Sequence, residues 1–197
     1  TGLTAKANQW NHIAVTRSGT SLRGYINGAQ SGSTQSNSTN IVNNAAVNFP
    51  ATTNYGAASC YIADVRYLKG TALYTSTFTP PTSPLTASGS TSALCNMTNA
   101  AIYDNAEVAD YQTVGNAQIS TSVKKYGTGS LAFDGTGDYL KAPNTVNTDF
   151  GSGNFTIELW YYFNTTGSDQ WFASKFDFVS ISDFEYEFQL AEAGYLV

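Results

Sequence analysis

Apolar and polar positions alternate with a period of two along much of the chain, as they do in β-strands. Trp10–Arg17 (WNHIAVTR) has the β-branched and aromatic content of a buried strand, and Leu22–Ile26 follows it. Cys60–Leu68 and Phe155–Phe163 are predicted as two further strands, and the signal of the second is strong. No segment shows a helical period. The pattern therefore predicts an all-β protein with at most a single short helical turn.

Weaker patterns fill the intervals between these strands. Short strands are predicted near Ala101–Tyr103 and Ala117–Ser120, and two more within Trp171–Leu190. Gly129–Leu140 predicts a strand, a tight glycine turn and a second strand. The Ser/Thr/Asn-rich stretch Ser31–Asn44 is expected to be a long exposed loop.

Composition narrows the classes of protein. The 197 residues suit one large all-β domain or two small ones. Charged residues make up 12% of the chain and the net charge is -5, which argues against a nucleic-acid phosphate binder and a coiled coil. No apolar run approaches the roughly 20 residues that span a bilayer, so no membrane insertion is expected. A chain that opens at Thr1 rather than Met is expected to be a processed product or a window from a longer protein.

Three blocks of sequence carry a family resemblance. They are WNHIAVTR with the Gly24–Gly28 hairpin (GYING), Ser130–Gly135 with Asp138–Leu140 (SLAFDG, DYL), and Gly153–Trp160 (GNFTIELW). Together they resemble laminin G-like domains of the concanavalin A-like lectin/glucanase superfamily. The resemblance implies an antiparallel jelly-roll β-sandwich. It specifies no ligand.

A fourth block is similar to repeated domains of tailed-phage structural proteins. It comprises Arg66–Gly70 and Tyr74–Pro81 (YTSTFTPP), the segment that closes the domain in those repeats. This resemblance implies a fibre or decoration component of a virion.

The blocks stand in an unusual order. In the family the FDGxxDYL and FTIExW blocks precede WxHIAVTR, whereas here residues 1–87 resemble the C-terminal half of a jelly roll and residues 129–197 the N-terminal half. Residues 88–128 are assigned as linker and edge strands, with Ala87–Thr91 as the best linker. We expect the halves to pack as one permuted domain, because separate halves would each expose an inner face. The alternative is that each half completes a jelly roll with a neighbouring copy.

Two features raise the question of catalysis. Asp183, Glu185 and Glu187 alternate along one predicted strand, and paired carboxylates perform glycoside hydrolysis. The acid types do not match the family pattern, however, and a solvent-facing strand is the alternative. His12 is the only histidine, and its place between apolar neighbours predicts a structural role. No catalytic residue is assigned and the protein is predicted not to be an enzyme.

The sequence also leaves alternatives for a calcium site and for the two cysteines. Asp134 and Asp138 flank a glycine turn and are candidate calcium ligands, with ordinary turn chemistry as the alternative. No cofactor and no metal ligand are assigned. Cys60 and Cys95 either form one disulfide or are buried as small apolar side chains.

Aromatic side chains are candidates for stacking on sugars, but sandwich cores use the same residues, so no binding residue is assigned. These candidates are Tyr55, Tyr61, Tyr103, Tyr111, Trp171 and Tyr195.

The sequence as a whole predicts a non-enzymatic structural or adhesive module of an extracellular assembly, with a phage virion component as the favoured role. A carbohydrate-binding adhesin is the alternative and a glycosidase the remote one. The expected partners are copies of the chain, other virion or surface proteins, and glycans. The expected location is extracellular or on the virion surface.

Overall fold

A computed structural model describes residues 5–42, 46–50, 58–98, 102–104, 111–144, 148–165, 170–175 and 186–190. Across these ranges the chain forms fourteen strands and no helix, which confirms the predicted all-β class. No helix there is long and apolar enough to cross a membrane. The strands are β1 Trp10–Ser18, β2 Ser21–Ile26, β3 Ala29–Ser36, β4 Val47–Phe49, β5 Ser59–Lys69, β6 Thr91–Met97, β7 Ile102–Asp104, β8 Gln112–Val114, β9 Gln118–Ser120, β10 Ser130–Asp134, β11 Tyr139–Ala142, β12 Phe155–Phe163, β13 Gln170–Lys175 and β14 Tyr186–Leu190.

The strands form two antiparallel sheets. The larger sheet has nine strands in the order β3-β2-β1-β12-β5-β10-β9, with β6 paired to β5 and β7 paired to β6. The smaller sheet has five strands in the order β14-β13-β4-β11-β8. Both sheets contribute to one core, in which Tyr161 packs edge-on against Phe172 and Phe49 packs edge-on against Tyr67. The fold is the β-sandwich that the family resemblance implied.

Strand β12 lies between β1 and β5 at the centre of the larger sheet. It pairs with β1 from Phe155 to Tyr162, with Ile13 opposite Leu159, and with β5 on its other edge. The larger sheet therefore combines strands from both predicted halves: β1 and β5 from residues 1–87, and β10 and β12 from residues 129–197. Ala87–Thr91, expected to be a linker, contains a turn that leads directly into β6, which pairs with β5. The boundaries at residues 87 and 128 stay a prediction.

A bulge in β5 lets that strand change partners. β5 pairs with β10 up to Ile62 and with β6 from Val65 onward, on the same edge. Between them Asp64 adopts a φ of 52°, which is rare for a residue other than glycine. Asn96 Nδ2 donates to Asp64 Oδ1 at 2.6 Å, while burial raises the pKa of this carboxyl. Because of the bulge, both the first and the last part of β5 have a hydrogen-bonded neighbour on this edge, β10 for the first part and β6 for the last.

The prediction of a long exposed loop at Ser31–Asn44 is wrong for its first part, which belongs to strand β3. Asn27 and Gly28 have φ of 51° and 82° and form a tight turn, which returns the chain along β2 as the edge strand β3. An edge strand exposes one side of its backbone and most of its side chains to water, so serine, threonine and glutamine are tolerated there. The period-two hydrophobic signal is consequently missing from this strand. Its exposed part begins after Ser31, which is itself buried.

Candidate functional site

The outer face of the nine-stranded sheet points away from the smaller sheet and is covered at its centre by the chain itself. Residues 70–86, called the strap below, follow β5 and cross this face. Phe78 N donates to Gly28 O at 2.8 Å, and Thr16 Oγ1 donates to Tyr74 O at 2.6 Å. The rings of Tyr74 and Phe78 stack at a centroid distance of 3.5 Å. The strap removes the middle of the sheet from solvent.

A buried polar cluster lies beneath the strap. Glu158 is fully buried at the centre of β12, and its Oε2 lies 3.0 Å from His12 Nε2. Tyr74 Oη donates to the same oxygen at 2.7 Å, and Arg66 Nε donates to Glu158 Oε1 at 2.7 Å. Every donor comes from a different segment of the chain. Glu158 therefore fastens β1, β5 and the strap to β12.

The electrostatics of this cluster favour an ionised Glu158. Burial alone would raise its pKa, but the hydrogen bond from His12 and the charge of Arg66 outweigh burial, so the pKa lies below the usual value. Burial and the neighbouring carboxylate raise the pKa of Tyr74, which keeps its hydroxyl as a proton donor. The cluster links these segments to one another, and its central carboxylate is fully buried. His12 is fully buried in it, as the strand pattern predicted.

Beyond the strap, three aromatic side chains lie side by side on the outer face. Trp10 of β1 is opposite Tyr162 of β12, and Tyr162 is opposite Tyr61 of β5. Neighbouring ring centroids are 5.6 Å apart in both pairs, with interplanar angles of 69° and 84°. All three side chains are partly exposed. We call them the aromatic row. In the same register the row continues onto Ala132 and Gln118.

A row of polar side chains runs parallel to the aromatic row, two residues further along the strands. Asn164 Nδ2 donates to Ser59 Oγ at 2.8 Å, and Ser59 lies opposite Asp134 of β10. Asn116 Nδ2 donates to Asp134 Oδ2 at 2.9 Å, and this hydrogen bond is the chief cause that lowers the pKa of Asp134. We call these four residues the polar row. It offers amide, hydroxyl and carboxylate groups beside the rings.

The other side of the aromatic row is bounded by a packed cation. Lys125 Nζ lies 3.9 Å from the ring centroid of Trp160, which is 5% exposed and stands two residues before Tyr162 on the same face. Tyr126 Oη donates to Pro81 O of the strap at 2.7 Å. These contacts join the strap to the segment before β10, so the aromatic row occupies the uncovered strip between the strap and the polar row.

The aromatic residues predicted as candidates for sugar stacking lie in different environments. Tyr61 is a member of the aromatic row, whereas Tyr111 packs against the core and Trp171 is buried in β13. Only the backbone of Tyr103 is described, and Tyr55 and Tyr195 lie outside the described residues.

Sequence reasoning missed the other two members of the row. Trp10 and Tyr162 stand inside predicted strands, and each is aligned with Tyr61 only by the strand register. The usable signal was the position of each ring near a strand end, on the face opposite the apolar core residues.

The carboxylates singled out as catalytic candidates cannot be placed as side chains. Asp183 and Glu185 lie outside the described residues, and Glu187 is described only as backbone of β14. The calcium candidates Asp134 and Asp138 both lie at the glycine turn, where Asp138 accepts hydrogen bonds from the backbone nitrogens of Asn116 and Asp134 at 2.8 and 2.9 Å. A calcium site at this turn stays a prediction. In the described ranges no three His, Cys, Asp or Glu side chains form a group that could hold a metal ion.

The disulfide alternative for the two cysteines is wrong. Cys60 on β5 and Cys95 on β6 are both fully buried thiols that form no disulfide. They fill the core as small apolar side chains, the other alternative.

Comparison with known proteins agrees with this architecture. The family model of the concanavalin A-like lectin/glucanases superfamily matches residues 1–72, which contain β1 to β5 and the start of the strap. Comparisons with curated proteins and with solved structures gave no match. Residues 1–72 are therefore similar to laminin G-like domains of this superfamily, as the sequence motifs indicated, and the antiparallel sheets are consistent with its jelly-roll sandwich. None of the comparisons shows the likeness to phage proteins.

Proposed function

We propose that this domain is a non-catalytic carbohydrate-binding module that serves adhesion. The observation that carries the proposal is the aromatic row, a set of partly exposed rings in register on a sheet face whose centre is covered by the strap. Aromatic faces carry negative partial charge and attract the weakly positive C–H groups of sugar rings. The adjacent polar row supplies the hydrogen bonds that orient a ligand in such sites.

The buried cluster supports the non-catalytic part of the proposal. A glycosidase needs two carboxyl groups that flank a bound glycosidic bond. Glu158 is fully buried beneath the strap and accepts hydrogen bonds from three side chains, so it does not reach a ligand. Laminin G-like domains are also generally non-catalytic.

The biological setting is part of the proposal. An extracellular or virion-surface location, with copies of the chain or other surface proteins as neighbours, suits a domain that binds glycans. The finer role as a phage fibre or decoration component is supported only by the Arg66–Pro81 sequence, which forms the end of β5 and most of the strap.

A glycan array tests the proposal. Fluorescently labelled protein should bind a subset of glycans, and Trp10→Ala should bind the same glycans more weakly while retaining its circular dichroism spectrum. Absence of binding to every glycan at millimolar sugar, with or without calcium, would refute it. Release of reducing sugar from any bound glycan would refute the non-catalytic part.

A further inference from the structure

We propose that the aromatic row binds a soluble, uncharged oligosaccharide that crosses the strands from β1 toward β9. The inference rests on the proposed carbohydrate-binding function and specifies the class and the direction of the ligand. It follows from three properties of the outer face: the angles between the rings, the direction of the row and the charge around it.

The angles between the rings show that the aromatic row is not a flat binding surface. Tyr162 is inclined by 69° to Trp10 and by 84° to Tyr61, so the three rings cannot all lie against one planar ribbon of sugar. A crystalline polysaccharide presents such a ribbon. A single chain in solution can turn successive sugar rings toward differently inclined faces. The row therefore selects free chains over crystalline surfaces.

The direction of the row sets the length of the ligand. Adjacent strands are about 4.8 Å apart, which is close to the length of one pyranose residue, so each strand meets about one sugar. The rings on β1, β12 and β5 then accept about three sugars, and Ala132 and Gln118 extend the contact to about five. The polar row runs parallel to this path and lies within reach of the hydroxyl groups along one side.

The charge around the row excludes acidic glycans. The lowered pKa of Asp134 means that its carboxylate stands ionised in the polar row, and the chain as a whole has a net charge of -5. Lys125, the cation on the other side, already packs on the face of Trp160. Amide and hydroxyl groups supply the remaining polar contacts, which complement uncharged sugar hydroxyls.

Isothermal titration calorimetry with neutral gluco-, manno- and galacto-oligosaccharides of one to six residues tests the inference. At least one series should bind, with affinity that rises from one to three residues and levels off at about five. Trp10→Ala and Tyr61→Ala should each weaken binding by about tenfold. Tyr139→Ala, which removes a partly exposed ring from the other sheet, should leave it unchanged. Thermal unfolding checks that every variant is folded.

Two further measurements separate failure of this inference from failure of the proposed function. Co-sedimentation with crystalline cellulose and chitin should show no binding, and uronic-acid oligosaccharides should bind more weakly than neutral ones. Preference for a crystalline or acidic glycan, or equal binding by Tyr61→Ala and wild type, would overturn the inference while leaving a carbohydrate-binding function. Absence of binding to every soluble, crystalline and acidic glycan would overturn both.

Discussion

Replacement of Glu158 is the sharpest test of how the strap is held. Its carboxylate is fully buried and accepts hydrogen bonds from His12, Arg66 and Tyr74. In Glu158→Gln an amide NH2 group replaces one of the two acceptor oxygens, so this NH2 group faces a hydrogen-bond donor of a neighbouring side chain. Arg66 also loses the negative charge that it pairs with. Removal of one partner from a buried ion pair costs about 3–5 kcal/mol. The free energy of unfolding, measured by guanidinium denaturation with tryptophan fluorescence, should fall by about that amount.

The loss in Glu158→Gln should depend on pH. The pKa of Glu158 lies below its usual value because the hydrogen bond from His12 and the charge of Arg66 outweigh the effect of burial. A carboxyl with a lowered folded pKa stabilises the fold above its unfolded pKa of about 4.3, and this contribution disappears as the pH falls through the folded pKa. The deficit of the variant should therefore be complete at pH 7 and shrink below about pH 4.

Two further variants calibrate this measurement. Tyr74→Phe removes a single hydroxyl donor and keeps the ring stacked on Phe78, so it should cost about 1–2 kcal/mol. Lys141→Gln changes an exposed side chain on β11 and should cost less than about 0.5 kcal/mol. A Glu158→Gln loss at pH 7 as small as that of Lys141→Gln would refute the conclusion that Glu158 fastens the strap.

Three other substitutions or probes give independent checks of the packing. Gly28→Ala places a Cβ 1.9 Å from a carbonyl oxygen of the strap, whereas the Cβ of Gly19→Ala meets nothing within 4 Å. In urea denaturation Gly28→Ala should therefore lower the free energy of unfolding by about 3 kcal/mol more than Gly19→Ala. Equal losses would contradict the contact between Gly28 and the strap. Fully buried Arg17 donates to three backbone carbonyls, and Arg17→Lys should lower the melting temperature by about 6 °C, whereas an unchanged value would contradict this. Burial raises the pKa of Cys60, so Cys60 and Cys95 should react with Ellman's reagent only after unfolding; rapid reaction in the native protein would show that they are accessible.

Much of the fold was predictable because buried strands carry a strong local signal. Trp10–Arg17 and Phe155–Phe163 were recognised as strands, and their motifs indicated the superfamily that also matches residues 1–72. The edge strand β3 was missed, since its exposed serine and threonine side chains leave no hydrophobic alternation. Hydrophobic alternation reports which side chains of a segment pack against the core, and few side chains of an edge strand do so.

The candidate site was much less predictable, because strand register creates it. Trp10 and Tyr162 are 152 positions apart in the sequence and become neighbours only through the pairing of β1 with β12. The strap poses the same difficulty: its sequence was recognised as a closing block, but its place across the outer face depends on Glu158, on Gly28 and on long-range contacts. Composition marked aromatic residues as candidates without separating exposed rings from core rings.

Chemical-shift mapping by NMR tests the central claim most directly. Titration of isotope-labelled protein with the neutral oligosaccharide that binds best should shift the Trp10 indole and the backbone amides of Tyr61, Tyr162 and Asn164. Amides near Tyr139, on the other sheet, should not move. Saturable binding whose shifts fall on the other sheet or on the loop at residues 37–40, with the aromatic row unaffected, would contradict the account.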